Sequence, residues 1–418
     1  MARPHSSRAS RDAVGVIDIG TAKVCAAVAL PDADGRQTLL GLGHQRSRGI
    51  KSGTIIDADE AEYAIRTAVG QAERMAGISF DRVIVSLSSG RMRSTSFIAR
   101  APVDNGIVTD RDIDRILSAG EAWLDRSGRA SIQLTHSDWS LDGVAGITDP
   151  RKLAGRELAA ELTAITADEG PVRNLLGLVE KCHMLVERIV AAPYASALAV
   201  TTEVERQQGV LTIEMGAGVT SIAAFCGDRL VHIDTVPVGG NHVTFDIARE
   251  LVTSVPEAER IKTLYGSLLP VSSDISDLIT YPVAGGDEPD ARHETSKAHI
   301  REIVTPRIKG LFQLLTERIT EAGLDHGIMR RIVLTGGASQ LLGIDRLCSE
   351  RFGGTVRIGR PQPVGGMNQS LCTPAFSTVL GLLDVAAQPP ERSRRRDSRA
   401  LPERGYLHRV ERWIRESF

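Results

Sequence analysis

Three apolar runs, Val14–Ile19, Val24–Leu30 and Thr38–Gly43, open the patterned part of the chain, and the short Gly- and Asp-rich joints between them predict an antiparallel meander. Apolar residues then recur at helical spacing over 59–76, through Ala61, Ala64, Ile65, Ala68, Ala72 and Met75, before a short buried strand at Val83–Leu87. This β-β-β-α-β order returns from Gly209 onward. Strands are expected at Val210–Ile213, Thr220–Phe225 and Leu230–Val236, then a helix at Val243–Val252, so the chain reads as an internal duplication. Residues 87–166, between the copies, carry their own strand, a helix at Asp110–Arg126 and strands at Ile132–Trp139 and Leu158–Ile165, the pattern of an inserted small α/β module whose core would take Trp123 and Trp139. Helices near 171–181 and 193–203 flank a strand at Met184–Val190, and helix returns over 297–322. Residues 273–295, rich in Ser, Asp, Gly and Pro as in Gly285-Gly286-Asp287-Glu288-Pro289, read as a loop or frayed edge.

A chain of 418 residues, 42% of them hydrophobic, can bury more than one core. Its net charge of −2 argues against a surface devoted to nucleic acid. The five cysteines are scattered without metal-ligand spacing and read as free thiols in a reducing cytosol. His136, His183 and His232 likewise lack ligand spacing, and Ser88-Ser89-Gly90 has no nucleophile-elbow frame around it. The Arg/Ser-rich first dozen residues lack a signal peptide's apolar stretch, and no apolar run is long enough to span a bilayer, so a protein neither secreted nor membrane-spanning is expected.

The C-terminus changes that picture. Gln388–Arg404, with paired prolines and the run Arg392-Ser393-Arg394-Arg395-Arg396, has a linker's composition. At helical spacing Tyr406, Leu407, Val410, Trp413, Ile414 and Phe418 then fall within an arc of roughly 140° that no charged residue enters, while Arg409, Arg412 and Arg415 take the other side. Such a helix can pack back on the body. The Arg-rich tether, the aromatic residues on the apolar face and the basic flank instead favour an interfacial anchor on anionic lipid. RNA is the poorer partner, because no aromatics interleave the arginines.

Candidate chemistry lies in three small-residue turns. In Asp18-Ile19-Gly20-Thr21-Ala22-Lys23, between the first two strands, Gly20 permits close backbone approach, Thr21 can donate to a phosphate oxygen, and Asp18 can hold Mg²⁺ through water. The equivalent turn of the second copy is Glu214-Met215-Gly216-Ala217-Gly218-Val219-Thr220, again led by an acid able to hold the metal through water. The third, Thr335-Gly336-Gly337-Ala338-Ser339, ends a buried strand, where flat glycine backbone can face a nucleobase or ribose.

In this order and separation the turns resemble the two phosphate loops and the adenosine loop of the actin, heat-shock chaperone and sugar kinase superfamily. That resemblance implies two lobes closing over ATP and Mg²⁺, with Asp18, Gly20, Thr21 and Lys23 on one side of the phosphates and Glu214 with Gly216, Ala217 and Gly218 on the other. Gly240 and Asn241 are then expected in the cleft, Glu259 and Lys262 at the ribose and base, and Gly336, Gly337 and Ala338 under the adenosine. The second loop departs from the usual Asp-Ile-Gly-Gly-Gly-Thr: Glu214 is longer than Asp, Ala217 adds a Cβ, and Val219 removes a hydroxyl that Thr220 replaces only if the turn shifts by one residue. These departures weaken the case for fast hydrolysis more than the case for binding.

Within the superfamily, Val16–Val24, Ser47–Gly53, Val190–Ala197, Gly240–Ala248, Thr305-Pro306-Arg307 and Val356–Gly359 resemble the FtsA family of bacterial cell-division proteins. The resemblance implies an α/β, actin-like, two-lobed fold of duplicated β-β-β-α-β units. Subdomain 1A would span 13–86, 167–205 and 374–387; an inserted subdomain 1C, 87–166; subdomain 2A, 206–245 and 305–373; and subdomain 2B, 246–304. A disordered tail at 1–12, a linker at 388–404 and a membrane-targeting amphipathic helix at 405–418 complete the expected organisation. It further implies an adaptor at the cytoplasmic face of the inner membrane at the division site, self-associating into protofilaments, contacting later division proteins through 1C and tethering FtsZ by its C-terminal peptide. Lys297 and Arg301, one helical turn apart in 2B, are the expected contacts for that acidic peptide. A pilus-assembly scaffold shares the insertion, but the anchor helix argues against it. A small-molecule kinase would need a general base that no motif signals.

Overall fold

The computed structural model describes residues 13–387 apart from 32–36, 90, 126–127, 285–291 and 325. The expected tail at 1–12, the linker and the terminal helix at 405–418 lie outside the described residues, as does Gly285–Pro289. Val14–Ile19, Lys23–Pro31 and Gln37–Arg46 form the antiparallel meander, and Arg82–Leu87 and Leu185–Ala191 add in parallel on the other side. The second lobe repeats this plan. Val210–Met215, Thr220–Cys226 and Arg229–Val236 form its meander, with Arg331–Thr335 and Thr355–Ile358 parallel beside it, so the duplication read from the pattern is a duplication of topology.

The helix Ala58–Ala76 starts where Asp57 accepts from the amides of Asp59 and Glu60, both at 3.1 Å, and stops at Gly77 in the left-handed conformation. Ala61, Ala64, Ile65, Ala68 and Ala72 bury its inner face against the first sheet, as their spacing predicts. On the opposite face of that sheet, Val379, Leu380, Leu382 and Leu383 of the helix Ser377–Ala387 join Val16, Ala27 and Ala195. The apolar helix Ala192–Val200 is buried between the lobes, its small side chains letting both sheets approach it. A separate core in the second lobe is built from the helices Gly240–Glu250, Val255–Tyr265 and Lys297–Glu321.

Several expectations change. The helix expected over 193–203 ends at Val200, and a new one, Glu203–Gln208, begins at Thr202, whose hydroxyl accepts from the Glu205 amide while the Glu205 carboxylate accepts from the Thr202 amide. The segment 273–295 is not simply a loop: Leu278–Pro282 pairs antiparallel with Arg292–Ser296. The inserted module has an additional strand, Val144–Ile147. Its sheet continues that of the second lobe, because Arg93–Pro102 meets Arg229–Val236 through the pair Arg93 and Asp234. Ser94 pins this joint, its hydroxyl accepting from the Ile233 amide at 2.9 Å and lying 3.0 Å from His232 Nδ1. Within the module Trp139 is buried, whereas Trp123 is 48% exposed and packs its ring at a tilt against Phe97, with centroids 4.4 Å apart. Among the described residues no helix is long and apolar enough to cross a membrane.

Candidate functional site

The two acid-led turns adopt the same local geometry. Gly20 N–H donates to the Lys23 carbonyl at 3.0 Å, and Gly216 N–H donates to the Val219 carbonyl at 2.9 Å. Asp18 therefore matches Glu214, Thr21 matches Ala217, and Lys23 matches Val219. The one-residue shift that would let Thr220 stand in for the missing hydroxyl does not occur: Thr220 is fully buried in its strand and donates to the Val238 carbonyl at 2.7 Å.

The turns face each other across the lobes. A Cβ on Gly218 would lie 2.7 Å from Thr21 Oγ1 and 2.8 Å from Ser52 Cα, so the approach requires glycine there. Thr21 Oγ1 also accepts from the Gly53 amide at 2.9 Å, which seats the loop 49–53 on the first turn. Beneath, the Asp18 carboxylate accepts from Ser86 at 2.7 Å, and Glu214 accepts from Thr378.

The third turn leaves its strand at Gly336, with φ 84° and ψ 162°. A Cβ there would meet the Met215 carbonyl oxygen at 2.5 Å, so the turn lies directly against the strand that carries Glu214. Gly337 and Ala338 continue into a short 3₁₀ turn, and a Cβ on Gly240 would lie 3.1 Å from that of Ala338. At the start of Gly240–Glu250, the amides of Gly240 and Asn241 donate to the carbonyls of Gly216 and Ala217 at 2.9 and 2.8 Å, tying this helix to the second turn. Lys262 reaches in from Val255–Tyr265 and donates to the Gly240 carbonyl at 3.2 Å, Thr244 at 2.8 Å and Glu259 at 2.7 Å. The sequence-expected residues thus gather into two connected groups, one at the facing turns and one around Gly240, Glu259, Lys262 and Ala338.

Burial raises both acids. Asp18 is pushed up by desolvation, partly offset by the Ser86 bond and the Lys23 charge. Glu214 is pushed up to about 7, chiefly by desolvation, with the Thr378 bond opposing and the Asp18 charge adding to the rise. The Asp18 charge adds to the rise at Glu214, a repulsion that a divalent cation would relieve. No described cluster of three His, Cys, Asp or Glu residues could hold a metal unaided. Asp18 and Glu214 are the carboxylates that would face a Mg²⁺ brought in with a nucleotide.

This geometry has a consequence for metal-free protein. Glu214 has a folded pKa above its ordinary 4.5, so between pH 4.5 and 7 the folded state binds the extra proton and stability falls as pH rises. Asp384, raised to about 6 by burial, acts in the same direction. Glu214→Gln leaves Asp384 in place and should reduce the decline by about 1–3 kcal/mol between pH 5 and 8. Urea melts at both pH values measure the difference, and equal slopes in the two proteins would exclude Glu214 as its source.

Other residues about the site escape a reading of single motifs. Thr378, which holds Glu214, lies in the helix Ser377–Ala387, 164 positions from its partner. Phe376 lies with Lys23 Nζ 3.3 Å from its ring centroid. The outer lobe also differs in detail from expectation. Lys297 is engaged by Asp277 at 2.8 Å, and Arg301 pairs with the buried Asp274. Further along the same helix, Arg307 grips Asp246 through two bonds of 2.6 and 2.9 Å beside a cavity of about 750 Å³.

Two family models match. Residues 211–381 match "Cell division protein FtsA", and residues 89–166 match "SHS2 domain inserted in FTSA", which coincides with the inserted module. Along its whole length the chain is 37% identical to the cell division protein FtsA of Rhizobium meliloti (strain 1021), covering 97% of that relative. It is 29% identical to that of Escherichia coli (strain K12), over 96% of this chain and 97% of the relative. Among solved structures it is similar to a PilM-PilN type IV pilus biogenesis complex, with a TM-score of 0.61 at 16% identity over 90% of this chain and 99% of that one. MreB 5 of Spiroplasma citri bound to AMPPNP gives a TM-score of 0.54 at 15% identity, over 97% and 99% of the two chains. These structural likenesses establish the actin-like fold, while the sequence identities separate the chain from the pilus scaffold: it belongs to the FtsA family of cell-division proteins.

Proposed function

We propose that this chain is an ATP-binding adaptor that attaches FtsZ filaments to the cytoplasmic face of the inner membrane at the division site. The observation that carries the nucleotide part is the meeting of the two acid-led turns, with Gly218 against Thr21 and Asp18 electrostatically coupled to Glu214. Asp18, Gly20, Thr21 and Lys23 hold the phosphates from one lobe, and Gly216, Ala217 and Gly218 from the other. Glu259 and Lys262 address the ribose and base, with Gly336 to Ala338 beneath. Val219 and Ala217 in the second turn suit retention of ATP rather than rapid turnover. ADP release at about 10 s⁻¹ or faster, the range of metabolic enzymes, contradicts this part.

FtsZ docks by its C-terminal peptide on the outer part of the second lobe. The cavity between Gly240–Glu250 and Lys297–Glu321 supports this placement: Ile303, Pro306, Leu311 and Leu314 give it apolar walls, and Arg249, His299 and Glu302 a polar rim. This is the form of a groove for an amphipathic segment. Lys297 and Arg301 already answer Asp277 and Asp274; Arg249 bonds Asp246 at 3.2 Å, but its side chain is 80% exposed, against 37% and 22% for the other two, so it is the cation most open to an acidic peptide. Arg249→Glu should weaken binding of a fluorescent FtsZ tail peptide about tenfold or more. Unchanged affinity in Arg249→Glu, with loss in a Lys297→Glu/Arg301→Glu double variant, would move the site to the helix start. The same reading places self-association into protofilaments and contacts to later division proteins through 1C.

A further inference from the structure

Lys23 is the one cation that the two facing turns contribute, since its counterpart in the second turn is Val219. Its ammonium lies over an aromatic ring, with Nζ 3.3 Å from the Phe376 centroid. His44, on the neighbouring strand, stacks on the same ring with centroids 5.9 Å apart. A cation held over a ring face in a partly buried setting is a favourable contact that must be given up before the ammonium can turn to phosphate oxygens.

The residues around Phe376 touch the rest of the site. The Pro374 carbonyl accepts from the Gly336 amide at 3.1 Å, Ser377 Oγ lies 2.6 Å from Thr335 Oγ1, and Thr378 donates to Glu214. Five consecutive residues therefore contact all three turns, and they lead directly into Ser377–Ala387, the last described helix. Resting on the nucleotide reading above, we propose that Phe376 is a positioning residue: its ring holds the Lys23 ammonium, and nucleotide phosphates compete with the ring for that cation. Occupancy of the phosphate site is thereby communicated to residues 374–378.

Two readouts on the full chain test this. The first is acylation of the Lys23 amine in nucleotide-free protein, followed by mass spectrometry; the second is the affinity for a fluorescent ATP analogue with Mg²⁺. Phe376→Leu should speed Lys23 acylation several-fold and tighten nucleotide binding by about three- to tenfold, the size of a lost cation–π competitor. Phe376→Tyr, which keeps a ring, should behave as the unsubstituted chain. In a Lys23→Ala background, Phe376→Leu should alter affinity less than about twofold, because the cation being contested is gone. Phe376→Met supplies a second ringless side chain should leucine unfold the protein. Acylation unchanged by either ringless variant, or an equal affinity change with and without Lys23, overturns the proposal. Failure of the unsubstituted chain to bind nucleotide overturns the nucleotide reading and the competition with it, while the acylation rates still report the ring contact.

Discussion

Gly336→Ala should cost the fold about 3 kcal/mol or more and abolish nucleotide binding. At φ 84° and ψ 162° the residue occupies backbone space essentially reserved for glycine, which costs another residue about 1–3 kcal/mol. The added Cβ would also sit 2.5 to 2.8 Å from the carbonyl oxygen, carbonyl carbon and amide nitrogen of Met215. Those are main-chain atoms of the central strand Val210–Met215, held by pairing on both sides, so relief requires moving the strand itself. Overpacking of this kind adds about 1–3 kcal/mol. Any movement also displaces Glu214 and Gly216, which flank Met215, so stability and binding fall together. Gly77→Ala is the control: it too has positive φ, but nothing lies within 4 Å of its added Cβ, and about 1 kcal/mol is expected. Melting curves and a fluorescent-nucleotide titration measure both variants. Equal losses in the two would mean that the contact with Met215 has no special weight.

Trp413→Glu should abolish binding to anionic liposomes while leaving nucleotide binding intact. Residues 406–418 lie outside the described structure, and the expectation comes from their pattern. Sinking the six apolar side chains of the arc partway into the interface would contribute several kcal/mol, at about 25 cal/mol per Å². Fixing the helix backbone costs about 1 kcal/mol per residue, which opposes that gain. Arg409, Arg412 and Arg415 then add about 1 kcal/mol each near anionic headgroups, a contribution that salt screens. One copy is consequently expected to bind weakly, and many copies along a filament to bind firmly by avidity. A glutamate at 413, at one edge of the apolar arc, removes its largest apolar side chain and introduces a charge that headgroups repel. Retention of full liposome binding by Trp413→Glu would show that this arc is not the anchor.

How much of this was legible beforehand differs from element to element for physical reasons. The duplicated meanders were readable because each strand is a compact apolar run and each turn is led by an acid. The strand Arg292–Ser296 was not, because its residues are polar and only Thr295 is buried, which leaves no alternating apolar face to detect. That same segment supplied the surprise about Lys297 and Arg301. Their charges and helical spacing were visible, but their partners, Asp274 and Asp277, sit in a stretch that reads as loop. Thr220 illustrates a limit of counting along a motif, since the hydroxyl is in the right composition but faces Val238 across the sheet. The cluster at 374–378 carries no charge and no repeated pattern. Its importance arises entirely from contacts made across the fold, as when Thr378 meets Glu214. Continuity of the inserted module with the second lobe rests on a short joint at Arg93, Ser94 and Ile233, too little to register as periodicity.

The central claim, attachment of FtsZ filaments to a membrane by this chain, is tested most directly by sedimenting purified FtsZ with anionic liposomes, ATP and Mg²⁺. The full chain should carry FtsZ into the liposome fraction. The Trp413→Glu chain should leave it in the supernatant while still binding the FtsZ tail peptide. Recovery of FtsZ with liposomes to the same extent in the presence of either chain, or no recovery with the full chain, would contradict the account.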